Sequence, residues 1–89
     1  MPAHFALLQN YPNPFNPSTS ISFDMSVSGF VSLKVYDLLG REVATLVNEV
    51  RPAGTHSATW TAAGVSSGVY IYKMESGSFV ATKRMLLIK

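Results

Sequence analysis

The chain has 89 residues, 47% hydrophobic and 13% charged, a balance that fits one folded domain with a modest core and excludes a disordered linker. A net charge of +2 makes no electrostatic case for nucleic acid. The absence of cysteine removes disulfide, thiol and thiolate-metal chemistry, and no apolar run is long enough for a transmembrane helix. Charge is nevertheless uneven. Lys34, Arg41 and Arg51 stand against Asp24, Asp37, Glu42 and Glu49, whereas the last part of the chain sets Lys73, Lys83, Arg84 and Lys89 against Glu75 alone. No signal peptide opens the sequence, and Met1–Pro2 reads as the beginning of an excised module, so an export signal would belong to a preceding portion.

Phe5–Leu8 is a short apolar run that predicts an edge strand. It stops at Asn10–Thr19, where Pro12, Pro14 and Pro17 alternate with asparagines and the rings of Tyr11 and Phe15. Proline fixes φ, lacks the backbone N–H and pushes the residue before it towards extended geometry. A helix or a strand paired on both sides is therefore excluded here. Two large rings would be wasted on a loose tail. The stretch predicts a rigid clasp of Tyr11, Pro12, Pro14, Phe15 and Pro17, with both rings plugging a β core.

Thr19–Met25 alternates, with Ile21, Phe23 and Met25 on one face. Ser26–Gly29 is a turn, and Phe30–Tyr36 alternates again with Val31, Leu33 and Val35 inward, so the two segments read as a hairpin. Gly40 supplies the positive φ expected in the Asp37–Glu42 turn. Val43–Val47 predicts a short strand and Asn48–Gly54 a loop. In Thr55–Thr61, His56, Ala58 and Trp60 share a face, and Trp60 reads as a core anchor. After the Ala62–Gly68 loop, Val69–Glu75 places Tyr70, Tyr72 and Met74 inward. Phe79–Ile88 is the last strand. Its four consecutive apolar residues, Met85–Ile88, predict either cover on both faces or a bulge. About seven short strands with Gly and Pro turns predict an all-β fold over residues 1–89. The class is an immunoglobulin- or fibronectin III-like β-sandwich of antiparallel strands without a disulfide.

No constellation in the sequence suits catalysis. His4 and His56 lack a nearby carboxylate cluster, so no metal site is expected. No serine sits in a nucleophile elbow, and Asp37 reads as a cap for turn backbone. The expectation is a protein that is not an enzyme and that carries no cofactor. Tyr11, Phe15, Tyr36 and Tyr72 would make a sugar-stacking platform only if exposed together; Tyr72 reads instead as core and Tyr36 as an ordinary strand aromatic. Lys83, Arg84 and Lys89 read as a solvated edge that discourages aggregation.

Taken together, four stretches resemble a known family. Leu7–Thr19 resembles the opening signature of the type A C-terminal sorting domains of the type IX secretion system. Val35–Val43, Ser67–Tyr72 and Lys83–Lys89 are similar to that family's central turn, its "sGvY" strand and its closing basic–apolar–Lys strand. The central and late motifs also resemble the Ig-like domain of flagellar-hook capping proteins. The resemblance implies the last domain of a larger secreted protein from a Bacteroidetes-like bacterium. Such a protein is delivered to the periplasm and then passed by the outer-membrane translocon to the cell surface or the medium. There, in many members, a cell-surface sortase removes the domain. It implies partners in the translocon, the sortase and an upstream cargo domain, and no catalysis by the module itself. By carry-over, Gly68, Tyr70, Lys83, Arg84 and Lys89 fall in the motifs that matter for sorting. The expected address is the last strand, with the clasp as a structural marker. The rival readings are an accessory carbohydrate-binding or stabilising module of an extracellular hydrolase, and an Ig-like structural module of an extracellular assembly.

Overall fold

Alternation makes each long strand two-faced, and the fold is the arrangement that hides every apolar face at once. The computed structural model describes residues 3–88; Lys89 lies outside them. Seven strands are present: β1 (Ala6–Leu7), β2 (Ser18–Met25), β3 (Gly29–Tyr36), β4 (Glu42–Arg51), β5 (Gly54–Thr61), β6 (Gly68–Ser76) and β7 (Phe79–Leu87). They form a three-stranded sheet in the order β1-β2-β5 and a four-stranded sheet in the order β4-β3-β6-β7, with all the strand pairs antiparallel. This is the expected sandwich. Its lower end carries the β2–β3 and β6–β7 turns. Its upper end carries the β3–β4 turn, the β5–β6 loop and the end of β7.

Burial follows the alternation closely. Ile21, Phe23 and Met25 of β2 and Val31, Leu33 and Val35 of β3 are fully buried, as are Tyr72 and Met74 of β6. Trp60 closes the upper part of the core against Tyr70, with ring centroids 5.6 Å apart. At the lower end the Ser76 hydroxyl donates to the Phe30 carbonyl at 2.7 Å. The turn glycine Gly40 has φ 84, as the Asp37–Glu42 turn requires.

Three expectations need correction. β2 and β3 are not a hairpin: β2 pairs with β1 and β5, while β3 pairs with β4 and β6. Crossing between sheets sets their two apolar faces opposite each other instead of side by side. The predicted loop after Val47 is largely strand, since β4 runs on to Arg51. Register shifts at Leu33/Lys34 and Val35/Tyr36 leave Leu46 and Val43 as extra residues on β4; beyond them Asn48, Glu49 and Val50 are all exposed, so no alternation marks the end of the strand. In the last strand neither a bulge nor double cover occurs. The β6–β7 register is unbroken, Met85 and Leu87 are buried, and Leu86 and Ile88 stay 38% and 49% exposed.

The clasp splits the prediction for its two rings. Phe15 is 1% exposed and sits 5.8 Å from the Trp60 ring. Tyr11 is 81% exposed and plugs nothing. Its backbone is what is used: Tyr11 and Ser20 exchange two N–H···O bonds of 2.9 Å, so the residue extends the edge of β2 while its ring points to solvent. Phe15→Ala should therefore cost about 3–5 kcal/mol in urea unfolding. Tyr11→Ala should stay within about 0.5 kcal/mol of the parent chain.

Candidate functional site

The residues that carry the resemblance meet at the upper end of the sandwich, and the clasp brings them there. Asn10 is only 3% exposed, and its backbone N–H and both side-chain amide atoms are hydrogen-bonded. Its backbone N–H donates to the Tyr72 hydroxyl at 2.8 Å, and that hydroxyl donates to the Leu8 carbonyl at 2.8 Å. Its amide nitrogen donates to Thr19 Oγ1 and to the Pro12 carbonyl, and its Oδ1 accepts from Gln9 Nε2. Thr19 Oγ1 in turn donates to Pro12 O at 2.9 Å. The three X–Pro peptide bonds of the segment are cis.

From there the chain crosses to the other sheet. Phe15 N–H donates to the Leu86 carbonyl and Ile88 N–H donates to the Phe15 carbonyl, both at 3.0 Å, in a parallel bridge between Phe15 and Leu87. Asn13 Oδ1 accepts from Leu86 N–H at 3.0 Å, and Gln9 Nε2 donates to the Arg84 carbonyl at 2.8 Å. The outer edge of β7 is thus occupied from Arg84 to Ile88. The asparagine side chains act here as backbone substitutes, a role that reading the segment for its rings did not reveal. The available signal was their position beside prolines, which leave carbonyls without a local donor.

The five residues expected to matter for sorting fall as follows. Gly68 opens β6 opposite Leu87 with φ 147, so the backbone and not crowding calls for glycine there. Tyr70, opposite Met85, is buried and donates to the Ser66 carbonyl at 2.6 Å. Lys83 and Arg84 diverge: Lys83 pairs with inward-facing Tyr72 and is half-buried, while Arg84 pairs with Ile71 on the exposed outer face. Lys89 lies outside the described residues. Around Arg84, Asn13, Val69 and Leu86 line a shallow concavity of about 180 Å³.

Electrostatics single out this strand. Lys34, Arg41, Arg51 and Lys73 are paired with Glu42, Asp37, Glu49 and Glu75 at 3.4, 2.8, 3.0 and 3.8 Å. Among the described residues, Lys83 and Arg84 are the lysine and arginine left without an acidic partner. Asp37 is held below the usual carboxylate range, chiefly by the Arg41 backbone N–H, with the Arg41 guanidinium and the Leu39 N–H adding to it. It caps the β3–β4 turn as expected. The His56 Nε2 lies 2.8 Å from the Pro52 carbonyl and its ring stacks on Phe23. No group of three His, Asp or Glu residues suited to a metal occurs among the described residues. Phe15 and Tyr72 are both buried, so the four-ring stacking platform does not assemble.

The model of the secretion system C-terminal sorting domain matches residues 9–89, from Gln9 before the clasp to the end of the chain. The chain belongs to this family. Sorting domains of the family are C-terminal signals for type IX secretion and mark proteins exported to the cell surface or secreted. Among solved structures, the fold is similar to part of PorZ, a bacterial surface component of the type IX secretion system of Porphyromonas gingivalis. The TM-score is 0.66 at 24% identity over 91% of this chain, and the chain spans 11% of the PorZ chain. No curated protein matches the sequence. In this sorting domain the clasp is joined to the last strand through Gln9, Asn13 and Phe15, and to β6 through Tyr72.

Burial pushes the Tyr72 phenol up to about 12, partly opposed by the N–H donated from Asn10. The unfolded chain ionises this group near pH ~10. A raised folded-state value means that its contribution is fully present below pH ~10 and is lost as the pH climbs towards the folded value. Urea unfolding at stepped alkaline pH should show this loss, and Tyr72→Phe should flatten it. The same variant should be destabilised by about 1–3 kcal/mol at neutral pH, because the Asn10 N–H and Leu8 carbonyl lose their shared partner.

Proposed function

We propose that this sorting domain is a single non-catalytic module following a cargo domain, and that its address is the outer face of the end of β7. The observation that supports this is Arg84: it stands exposed on the outer face of the last strand, and among the described residues it has no acidic partner. The clasp already pairs with the edge from Arg84 to Ile88. Recognition by adding a partner strand there would have to displace it, so the reading is made through side chains and the strand tip. Arg84, Leu86 and Val69 are the contact candidates. Gly68 and Tyr70 act as positioning residues that set the strand opposite. Lys83 lies at the inner edge, and Lys89 belongs to the proposed address through its place in the closing motif. The partners proposed are the type IX outer-membrane translocon and the cell-surface sortase.

The test fuses the domain to a reporter cargo in a bacterium with an active type IX system. Arg84→Asp should leave the fold within about 0.5 kcal/mol of the parent. Export should fall to roughly a tenth or less, the equivalent of about 1.4 kcal/mol of lost recognition. Wild-type export of a folded Arg84→Asp fusion would refute the assignment. Removing Met85–Lys89 should also block export, but that truncation takes away Leu87 and the partners of Phe15 as well. The point variant is the deciding one.

A further inference from the structure

The outer face of the four-stranded sheet surrounds Arg84 with apolar side chains. Arg84 lies opposite Ile71, and Ile71 lies opposite Tyr36. In the next row towards the upper end, Leu86 lies opposite Val69. Two concavities open on this face, one of about 180 Å³ at Val69, Arg84 and Leu86, the other of about 310 Å³ at Tyr36, Leu38, Ile71 and Thr82. Thr82, Arg84 and Leu86 are successive residues on one face of β7, so Arg84 stands between the two hollows. The row below Tyr36 and Ile71 sets Lys34 directly opposite Lys73, a pairing that like charges disfavour. Glu42 and Glu75 answer these lysines at 3.4 and 3.8 Å. The charge of Arg84 is thereby left uncompensated among the described residues of the face.

We infer that this face receives an extended segment of a partner protein, one that carries an aspartate or glutamate with an apolar side chain two residues away on either side. The inference rests on the reading of Arg84 as part of the sorting address and states what a partner must present to it. Alternate side chains of an extended segment share a face at a spacing of roughly 6.5–7 Å, the same repeat as Thr82, Arg84 and Leu86 beneath. The carboxylate meets the guanidinium fork of Arg84, and the flanking apolar groups fill the two hollows. Backbone pairing is not required, because the clasp holds the edge of β7 from Arg84 to Ile88. A phosphate or an acidic polysaccharide would satisfy Arg84 but leave Leu38, Val69, Ile71 and Leu86 wet. A second copy is a poor occupant. Of the acids in this chain only Asp37 has such flanks, Val35 and Leu39, and Val35 is buried while Asp37 caps its own turn.

Peptide titration of the isotope-labelled 89-residue chain, followed by amide chemical shifts, tests this. The probes are acetyl-Leu-Thr-Glu-Thr-Leu-amide, the same peptide with glutamine at its centre, and the same peptide with serine for both leucines. The glutamate peptide should shift the amides of Ile71 and Leu86 and bind at least about fivefold more tightly than the glutamine peptide. Arg84→Gln should bring these two level. The serine peptide should bind at least about fivefold more weakly than its leucine parent. Equal binding of the glutamate and glutamine peptides, or of the leucine and serine peptides, overturns the inference. So does the absence of any shift at about 5 mM peptide, weaker than even a loose encounter. Equal shifts from inorganic phosphate or polyglucuronate also overturn it, since they would make the site one for an anion alone. Export of the Arg84→Asp fusion is scored separately. Lost export without discrimination among the peptides counts against this partner and leaves the address standing. Discrimination with export intact counts against the address and leaves the binding face standing.

Discussion

The two sheets of this sandwich share apolar contact, and the clasp gives them shared hydrogen bonds. Tyr11 pairs with Ser20 in one sheet, Phe15 pairs with Leu86 and Ile88 in the other, and Asn10 reaches Tyr72 between them. A domain of this size buries a modest fraction of its surface, and small exported domains are commonly stapled by disulfides. With no cysteine, the clasp fills that place. Each backbone bond contributes about 0.5–1.5 kcal/mol net and burial of the Phe15 ring about 1.5–3 kcal/mol. Together these match or exceed the roughly 2–4 kcal/mol typical of a disulfide. The comparison concerns the native state only; the clasp does not shorten the unfolded chain as a cross-link would.

The same contacts shape how the end of the chain can be recognised. An unpaired terminal strand would offer its N–H and C=O groups to any neighbouring edge. The clasp occupies that part of β7, and Lys83, on the inward register at the edge, adds a buried-charge penalty to any sheet that tried to continue the sandwich. What remains accessible is a row of side chains on the outer face, with Arg84 between Ile71 and Leu86. Distant parts of the chain hold the shape of the proposed address: Gln9, Asn13 and Phe15 on one flank, Gly68 and Tyr70 on the other.

Faces were legible in the sequence and partners were not. Ile21, Phe23 and Met25, Val31, Leu33 and Val35, and Tyr70, Tyr72 and Met74 all point inward as their period of two demands, because burial is what that period records. Nothing in the period says which strand lies alongside, so β2 and β3 read as a hairpin when they belong to different sheets. β4 was cut short because Asn48, Glu49 and Val50 are all exposed, which leaves no alternation to read at its end. Tyr11 misled because an aromatic among prolines reads as a plug, whereas its backbone does the pairing. At the candidate site the basic bias of the last strand was visible in composition. The divergence of Lys83 and Arg84 was visible too, since neighbours in a strand face opposite sides; reading them together as one solvated edge overlooked it.

The composition of the clasp follows from where it runs. A segment passing from the edge of one sheet to the edge of the other cannot stay in register with either, so its backbone donors lose regular acceptors along the way. Each such donor, if left buried without a partner, would cost about 1–3 kcal/mol. Pro12, Pro14 and Pro17 remove three of them outright. Three of its carbonyls are met individually: Pro12 O by Asn10 Nδ2 and Thr19 Oγ1, Pro17 O by Ala62 N–H, and Phe15 O by Ile88 N–H. Asn13 lends an acceptor to Leu86 N–H where no carbonyl of the segment is placed to do so. Proline where a donor would be stranded and asparagine where a partner is missing are two answers to one constraint. A stretch that looks least like regular structure is thereby the part that fastens the first strand to the last.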